Sequence, residues 1–294
     1  MRLSLVLLAV GACARPAACA ERPGWDRIEA LRADDAFAVP TAPDRAAYAA
    51  LVADLARAAP SGALPPDAAA RAAALHLALA QEGDTVWLTE EPTARHGGGA
   101  LLLRLGPLPS ELVLQAPHPW ADKGTGPLVL DLYTAGGVRA ALLATANRRA
   151  GGPQTEASAD PAHNPLLYFQ SATLGLADGL ARPLVVQLHG YAPETSRADA
   201  VVSLGLGRGG GLRLDDVTRQ TSLALGAPDA PAVVRTGEDV PELAARTNVQ
   251  SSALIDRARF LHIELSADQR DALRQDAARQ EALRQLLLQL AEGP

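Results

Sequence analysis

Cysteine is nearly absent: of 294 residues only Cys13 and Cys19 carry a thiol, both at the very start. A mature chain beginning after Ala20 would hold none, which excludes a disulfide framework and thiolate chemistry. Lysine is scarcer still, with Lys123 alone, so the basic charge is carried by arginine. The formal charge is −6, and no basic stretch offers the face that nucleic acid requires. Aromatic residues make up 3% of the chain, against 48% hydrophobic overall, so any core is aliphatic. Beyond the first residues no apolar run reaches the roughly 20 positions that a membrane helix needs.

What is present begins with a leader. Arg2 precedes an apolar run from Leu3 to Val10, Pro16 interrupts it, and Ala18-Cys19-Ala20 fits a small-x-small cleavage site. Residues 1–20 are therefore expected to be a signal peptide, and the mature protein to be exported, periplasmic or secreted. Val10-Gly11-Ala12-Cys13 offers an alternative as a lipobox, which would anchor the protein through Cys13.

Residues 21–84 read as an N-terminal helical region packed on a main domain over 85–294. Residues 21–42 are Pro-rich and irregular. The Ala/Leu spacing predicts helices over 44–59 and 66–81, with Gly62 and Gly83 past their ends. From residue 85 the pattern changes. Short apolar runs at 85–89, 100–104, 111–116, 138–145, 184–188, 200–204, 232–235 and 260–265 predict strands. Helical spacing falls between them at 126–135, 164–180, 212–225 and 240–246, and Ser266 opens a long final helix with Ser266-Ala-Asp-Gln269 as its capping box. Apolar strands alternating with helices predict a three-layer α/β domain: a mostly parallel or mixed central sheet covered on both faces.

In such sheets the chemistry gathers at the carboxyl ends of the strands. His118 follows the strand at 111–116, with Asp122 four residues on. His189 closes Val185-Val-Gln-Leu-His189, and His262 and Glu264 share one face of Phe260–Leu265. Two imidazoles and a carboxylate form the ligand set of a catalytic zinc, so His118, Asp122 and His189 are candidate ligands and Glu264 a candidate general base. The alternative is that His118 caps a turn, His189 is a core histidine and Glu264 pairs with an arginine. Arg148 and Arg270 could each hold a substrate carboxylate or be ordinary surface arginines. Asn248 could touch substrate or serve a turn. The Gly-rich segment 205–211 lacks the Lys-Ser/Thr of a phosphate loop, and there is no Gly-x-Ser-x-Gly elbow and no His-Glu-x-x-His.

The order His118…Asp122, Asn147-Arg148, His189-Gly190 and Glu264 resembles the superfamily of zinc carboxypeptidases, N-formylglutamate amidohydrolases, poly-γ-glutamate hydrolases and zinc N-acetylmuramoyl-L-alanine amidases. It is most similar to poly-γ-glutamate-hydrolase-like proteins, through the acid and Gly-Thr in the His118–Thr125 loop, His189-Gly190, and Ile263-Glu264-Leu265 followed by Arg270. The likeness covers roughly residues 110–290. It implies a phosphorylase/hydrolase-like fold, a Zn2+ cofactor and hydrolysis of an amide bond in a peptide-like, acyl-amino-acid or cell-wall (peptidoglycan) substrate. The His-x-x-x-Asp spacing departs from the carboxypeptidase His-x-x-Glu, which leaves Asp131 or Glu156 as other candidates for the middle ligand. His118-Pro-Trp-Ala-Asp122 is also faintly similar to the His-Pro-Asp-Asp of zinc deacetylases, without the acid pair. A non-catalytic exported binding protein on the same scaffold is the alternative function.

Overall fold

The computed structural model describes residues 23–33, 37–91, 93–96, 98–151, 158–207, 209–227 and 229–293. The leader with Cys13 and Cys19, and the alternative ligand Glu156, lie outside them.

Among the described residues, nine strands form one mixed sheet. They are β1 (Leu77–Glu82), β2 (Thr85–Glu90), β3 (Ala100–Arg104), β4 (Leu112–Ala116), β5 (Ala140–Leu143), β6 (Leu184–Gly190), β7 (Ala200–Ser203), β8 (Val234–Thr236) and β9 (Arg259–Leu265), in the order β1-β2-β3-β5-β4-β6-β9-β7-β8. The four central strands, β5-β4-β6-β9, are mutually parallel, and β3 and β7 flank them antiparallel. The helices are α1 (Pro23–Ala30), α2 (Ala42–Ala58), α3 (Ala68–Ala74), α4 (Thr125–Thr134), α5 (Tyr168–Gly179), α6 (Leu214–Leu225), α7 (Val249–Ala253), α8 (Ala267–Gln275) and α9 (Ala277–Glu292). One face of the sheet packs against α2, α3 and α5, the other against α4, α6, α8 and α9. This is the expected three-layer α/β arrangement, and the alternation along β4, β6 and β9 sends successive aliphatic side chains to the two cores.

Three local differences from the sequence pattern have physical causes. The helix expected over 66–81 stops at Ala74; His76 takes a left-handed backbone (φ 55°), and the chain reverses into β1, which pairs with β2 as the sheet edge. The final helix is two. Asp276 is extended and its carboxylate accepts from Ala278 and Arg279 N–H, ending α8 and capping α9. The segment after residue 22, read as irregular, contains α1. Its Trp25 ring lies 5.1 Å from that of Trp120, and Ala33 bridges to Ala146.

Two packing features fix the frame. Gly175 and Gly179, one turn apart on α5, let that helix lie directly on α2, since a Cβ at either would enter the space of Ala49 and Val52 or of Ala53 and Ala56. Arg139, fully buried, ties the amino-terminal ends of the strands. Its Nε donates to Glu111 at 2.7 Å, and its Nη1 donates to the Arg104 carbonyl at 2.6 Å and the Gly106 carbonyl at 2.9 Å. No described helix is long and apolar enough to cross a membrane.

Candidate metal centre

Strand order reverses around β4: the chain steps from β4 outward to β5, then returns to place β6 on β4's other side. A crevice opens at such a switch point, at the carboxyl ends of the strands. Past Ala116 the chain makes a tight turn. Asp122 N–H donates to the His118 carbonyl at 2.8 Å, and Thr125 N–H and hydroxyl donate to the Asp122 carbonyl at 3.1 and 2.8 Å. Gly124, at φ 95°, then admits the chain into α4. This turn places the side chains of His118 and Asp122 together and accounts for their four-residue spacing. His189, at the end of β6, pairs in register with Glu264 on β9, and Gln187 with His262. The parallel register thus sets both histidines and Glu264 on one sheet face.

The donor atoms converge. His189 Nδ1 lies 3.3 Å and His118 Nδ1 3.5 Å from the same Asp122 oxygen, Oδ2. One ligand atom from each of the three residues lies within 4.8 Å of the others, and all three are buried. A second such group, His189, His262 and Glu264, adjoins it. Two nitrogens and a carboxylate oxygen are the donor set of a catalytic zinc. Two buried atoms beside it, His262 Nδ1 and Glu264 Oε2, have no hydrogen-bond partner. The residues fit a divalent cation.

Asp160 supports the first ligand. Its Oδ1 accepts from His118 Nε2 at 2.8 Å and from Ala162 N–H at 3.1 Å, and its Oδ2 accepts from Arg148 Nη2 at 2.7 Å. A carboxylate on the far ring nitrogen orients the imidazole and directs the near one to the metal. Burial favours the neutral form of the His118 ring, but the Asp122 carboxylate beside it and the hydrogen bond to Asp160 outweigh it and raise its pKa. Burial likewise works to raise both carboxyls, yet the imidazoles of His118 and His189 beside Asp122, and those of His118 and His163 beside Asp160, hold both well below the usual range. Burial lowers His189 and takes His262 well below its ordinary value. Glu264 is pushed up to about 8 by burial, with the Asp122 charge adding.

His118, Asp122, His189, His262 and Glu264 wall a cleft of about 510 Å³, lined on its other sides by Arg148, His163, Tyr191, Thr195 and the segment 241–248. The remaining candidates are placed as follows. Arg148 lines the cleft, anchored on Asp160, with Nη1 3.3 Å from His118 Nδ1. Asn248 also lines it, but its Oδ1 accepts from Ser251 N–H as the cap of α7, and its Nδ2 donates to Gln187. Arg270 sits behind Gly190 with Nε donating to the Lys123 carbonyl at 2.8 Å and Nη1 to the Leu265 carbonyl, and it is not on the cleft wall. Asp131 lies on α4 beside Gln280, away from the cleft.

No family model matches this sequence, and no curated protein matches it. Solved structures do. The succinylglutamate desuccinylase of Chromobacterium violaceum is 16% identical, with 72% of this chain and 70% of that one covered at a TM-score of 0.43. A zinc-free YndL is 15% identical over 65% of this chain and 87% of that one, TM-score 0.40. The N-acetylmuramoyl-L-alanine amidase AmiC2 of Nostoc punctiforme is 13% identical over 62% and 94%, TM-score 0.33.

Sequence reasoning did not find Asp160 or Gln187. Asp160 lies in the long β5–α5 loop, 42 positions from His118, and no spacing rule joins them. Gln187 reads in sequence as one polar residue in an apolar strand, a signal in itself, because a buried amide needs partners.

Proposed function

We propose that this chain is an exported zinc-dependent hydrolase that cleaves an amide bond in a peptide-like or acylated amino-acid substrate, cell-wall peptides being one such class. The observation that carries the reading is that His118 Nδ1 and His189 Nδ1 face one Asp122 oxygen in a cleft that also holds a buried, unpartnered Glu264 oxygen. His118, Asp122 and His189 would hold the cation. Zinc bound there supplies Lewis acidity, polarising a substrate carbonyl and acidifying a water.

The rest is the work of this chain's own side chains. Asp160 keeps the His118 ring turned so that Nδ1 faces the cleft. Burial holds the Glu264 carboxyl at about 8 without a cation, mostly protonated at pH 7; the charge of a cation bound beside it would draw that value down toward neutrality, where a general base works best. Its ionised Oε2 then takes a proton from the attacking water and returns it to the leaving amine. Arg148, fixed through Nη2, keeps Nη1 in the cleft to hold a substrate carboxylate or carbonyl oxygen. The apolar run and cleavage site in residues 1–20 support export, with anchorage through Cys13 as the other form of it.

The test is metal content by mass spectrometry of the parent, His118→Ala and His189→Ala chains, followed by hydrolysis assays on N-acyl amino acids and muropeptides. One zinc per parent chain, lost in both variants, together with amide hydrolysis is expected. A parent that takes up no zinc after reconstitution would overturn the reading; zinc without hydrolysis of any amide would leave a binding protein.

A further inference from the structure

Beneath the cleft lies a buried patch of amides. Gln115, Thr173, Gln187 and Gln250 are fully inaccessible, and Gln170 nearly so. Groups of this kind are costly to bury unless donors and acceptors are matched. The Gln187 amide nitrogen donates both its hydrogens, to Gln115 Oε1 at 2.8 Å and to Gln250 Oε1 at 3.1 Å. Its Oε1 accepts from Asn248 Nδ2 at 2.8 Å and faces His189 Nε2 at 3.3 Å.

An amide can be turned end for end at little steric cost, so its orientation follows from neighbours whose roles are fixed. Three backbone groups fix this one. Ser251 N–H donates to Asn248 Oδ1 at 3.0 Å, which turns Asn248 Nδ2 toward Gln187. The Pro161 carbonyl accepts from Gln250 Nε2 at 2.8 Å, which turns Gln250 Oε1 toward Gln187. The Phe169 carbonyl accepts the Thr173 hydroxyl proton at 2.9 Å, so Thr173 Oγ1 accepts from Gln115 Nε2 and Gln115 Oε1 also faces Gln187. All three demand the same answer: the Gln187 nitrogen toward the two glutamines, its oxygen toward Asn248 and His189. Reversed, oxygen would meet two oxygens and NH2 would meet NH2.

An amide oxygen only accepts. We therefore propose that Gln187 is a positioning residue that accepts the Nε2 proton of His189 and so leaves the Nδ1 lone pair free for the cation that Asp122 also faces. The other tautomer would set lone pair against lone pair at Gln187 and place a proton between Nδ1 and the Asp122 oxygen 3.3 Å away, where the cation binds. The proposal rests on reading the cleft as a metal centre, yet it concerns the ring itself and is testable in the metal-free chain.

The experiment is long-range proton–nitrogen correlation on the full-length Asp122→Ala chain labelled with nitrogen-15 histidine, metal-free and mildly alkaline, where no Asp122 carboxylate competes for a proton on Nδ1; the His189 signals are assigned by their loss when His189→Ala is added. The expected pattern is a protonated Nε2 and a bare Nδ1. Adding Gln187→Met abolishes the preference, and Gln187→Met alone raises the zinc Kd, read by competition with a chromophoric chelator, about 10–100-fold. A proton on Nδ1 in the Asp122→Ala chain overturns the proposal, as does a Gln187→Met change that leaves both tautomer and Kd as they were. If the Gln187→Met chains do not fold, the Asp122→Ala spectrum decides alone. If the parent binds no zinc, the metal-centre reading fails while the ring spectrum still judges Gln187.

Discussion

Asp160 offers the sharpest test of how the site is held. Its two oxygens do different work: Oδ1 accepts from His118 Nε2 and Ala162 N–H, Oδ2 from Arg148. In Asp160→Asn the side-chain oxygen stays on the side of His118 and Ala162, where two donors meet it, and the new NH2 group faces the Arg148 guanidinium. The His118 orientation survives, the charge behind it does not, and Arg148 is released. Asp160→Ala removes both supports. Loss of a ligand's outer partner costs about 10–100-fold in metal affinity, or about 1.4–2.8 kcal/mol at tenfold per 1.4 kcal/mol. The asparagine variant is expected near the lower figure and the alanine variant near the upper. Chelator competition gives the affinities, and thermal melts of the metal-free chains separate loss of folding from loss of the site. Wild-type zinc affinity in both folded variants, or weaker binding by Asp160→Asn than by Asp160→Ala, would refute the reasoning.

Glu264→Gln keeps the ligands and removes the proton carrier, so zinc content should hold while turnover falls about a hundred- to ten-thousandfold; equal turnover would dismiss Glu264 as the base. Zinc affinity should fall as pH drops through the His118 pKa, which lies above the ordinary 6.5, because below it the ring carries the proton that the metal must displace; an affinity flat from mildly alkaline to mildly acidic pH would contradict this. Arg139→Met leaves Glu111 mostly buried without its cation and should cost about 3–5 kcal/mol in denaturant unfolding, with partial recovery when Glu111→Leu is added. Gly175→Ala drives a methyl into α2 and should lower stability by about 1–3 kcal/mol, read as a lower Tm.

The central sheet was legible because fully buried parallel strands read as uninterrupted apolar runs, as in Leu184–Leu188 and Phe260–Leu265. The same principle pointed to residues at strand ends, and the structure brings His118, Asp122, His189 and Glu264 into one cleft. What escaped were features set by chain reversal and distance. The Ala/Leu spacing reads as helix through residue 81, although α3 ends at Ala74 and a single left-handed residue, His76, turns the chain into β1. Asp276 looked like one more polar residue of a long helix, although its capping bonds break that helix in two. Arg270 resembled a substrate arginine by its place after β9, but Gly190 leaves a gap that its guanidinium fills from behind. Asp160 joins His118 only through the closed fold.

The register that pairs His189 with Glu264 also governs when the cleft can exist. A slip of one residue between β6 and β9 would turn one of them to the opposite face of the sheet and divide the site. Since His118 and Glu264 lie far apart in sequence, the cleft is completed only after the long-range parallel strands have closed, late in folding. A ligand that touches both residues therefore has no partner in the unfolded chain or in early collapsed states. It would stabilise the native state by mass action and slow unfolding, and it would leave the folding rate unchanged.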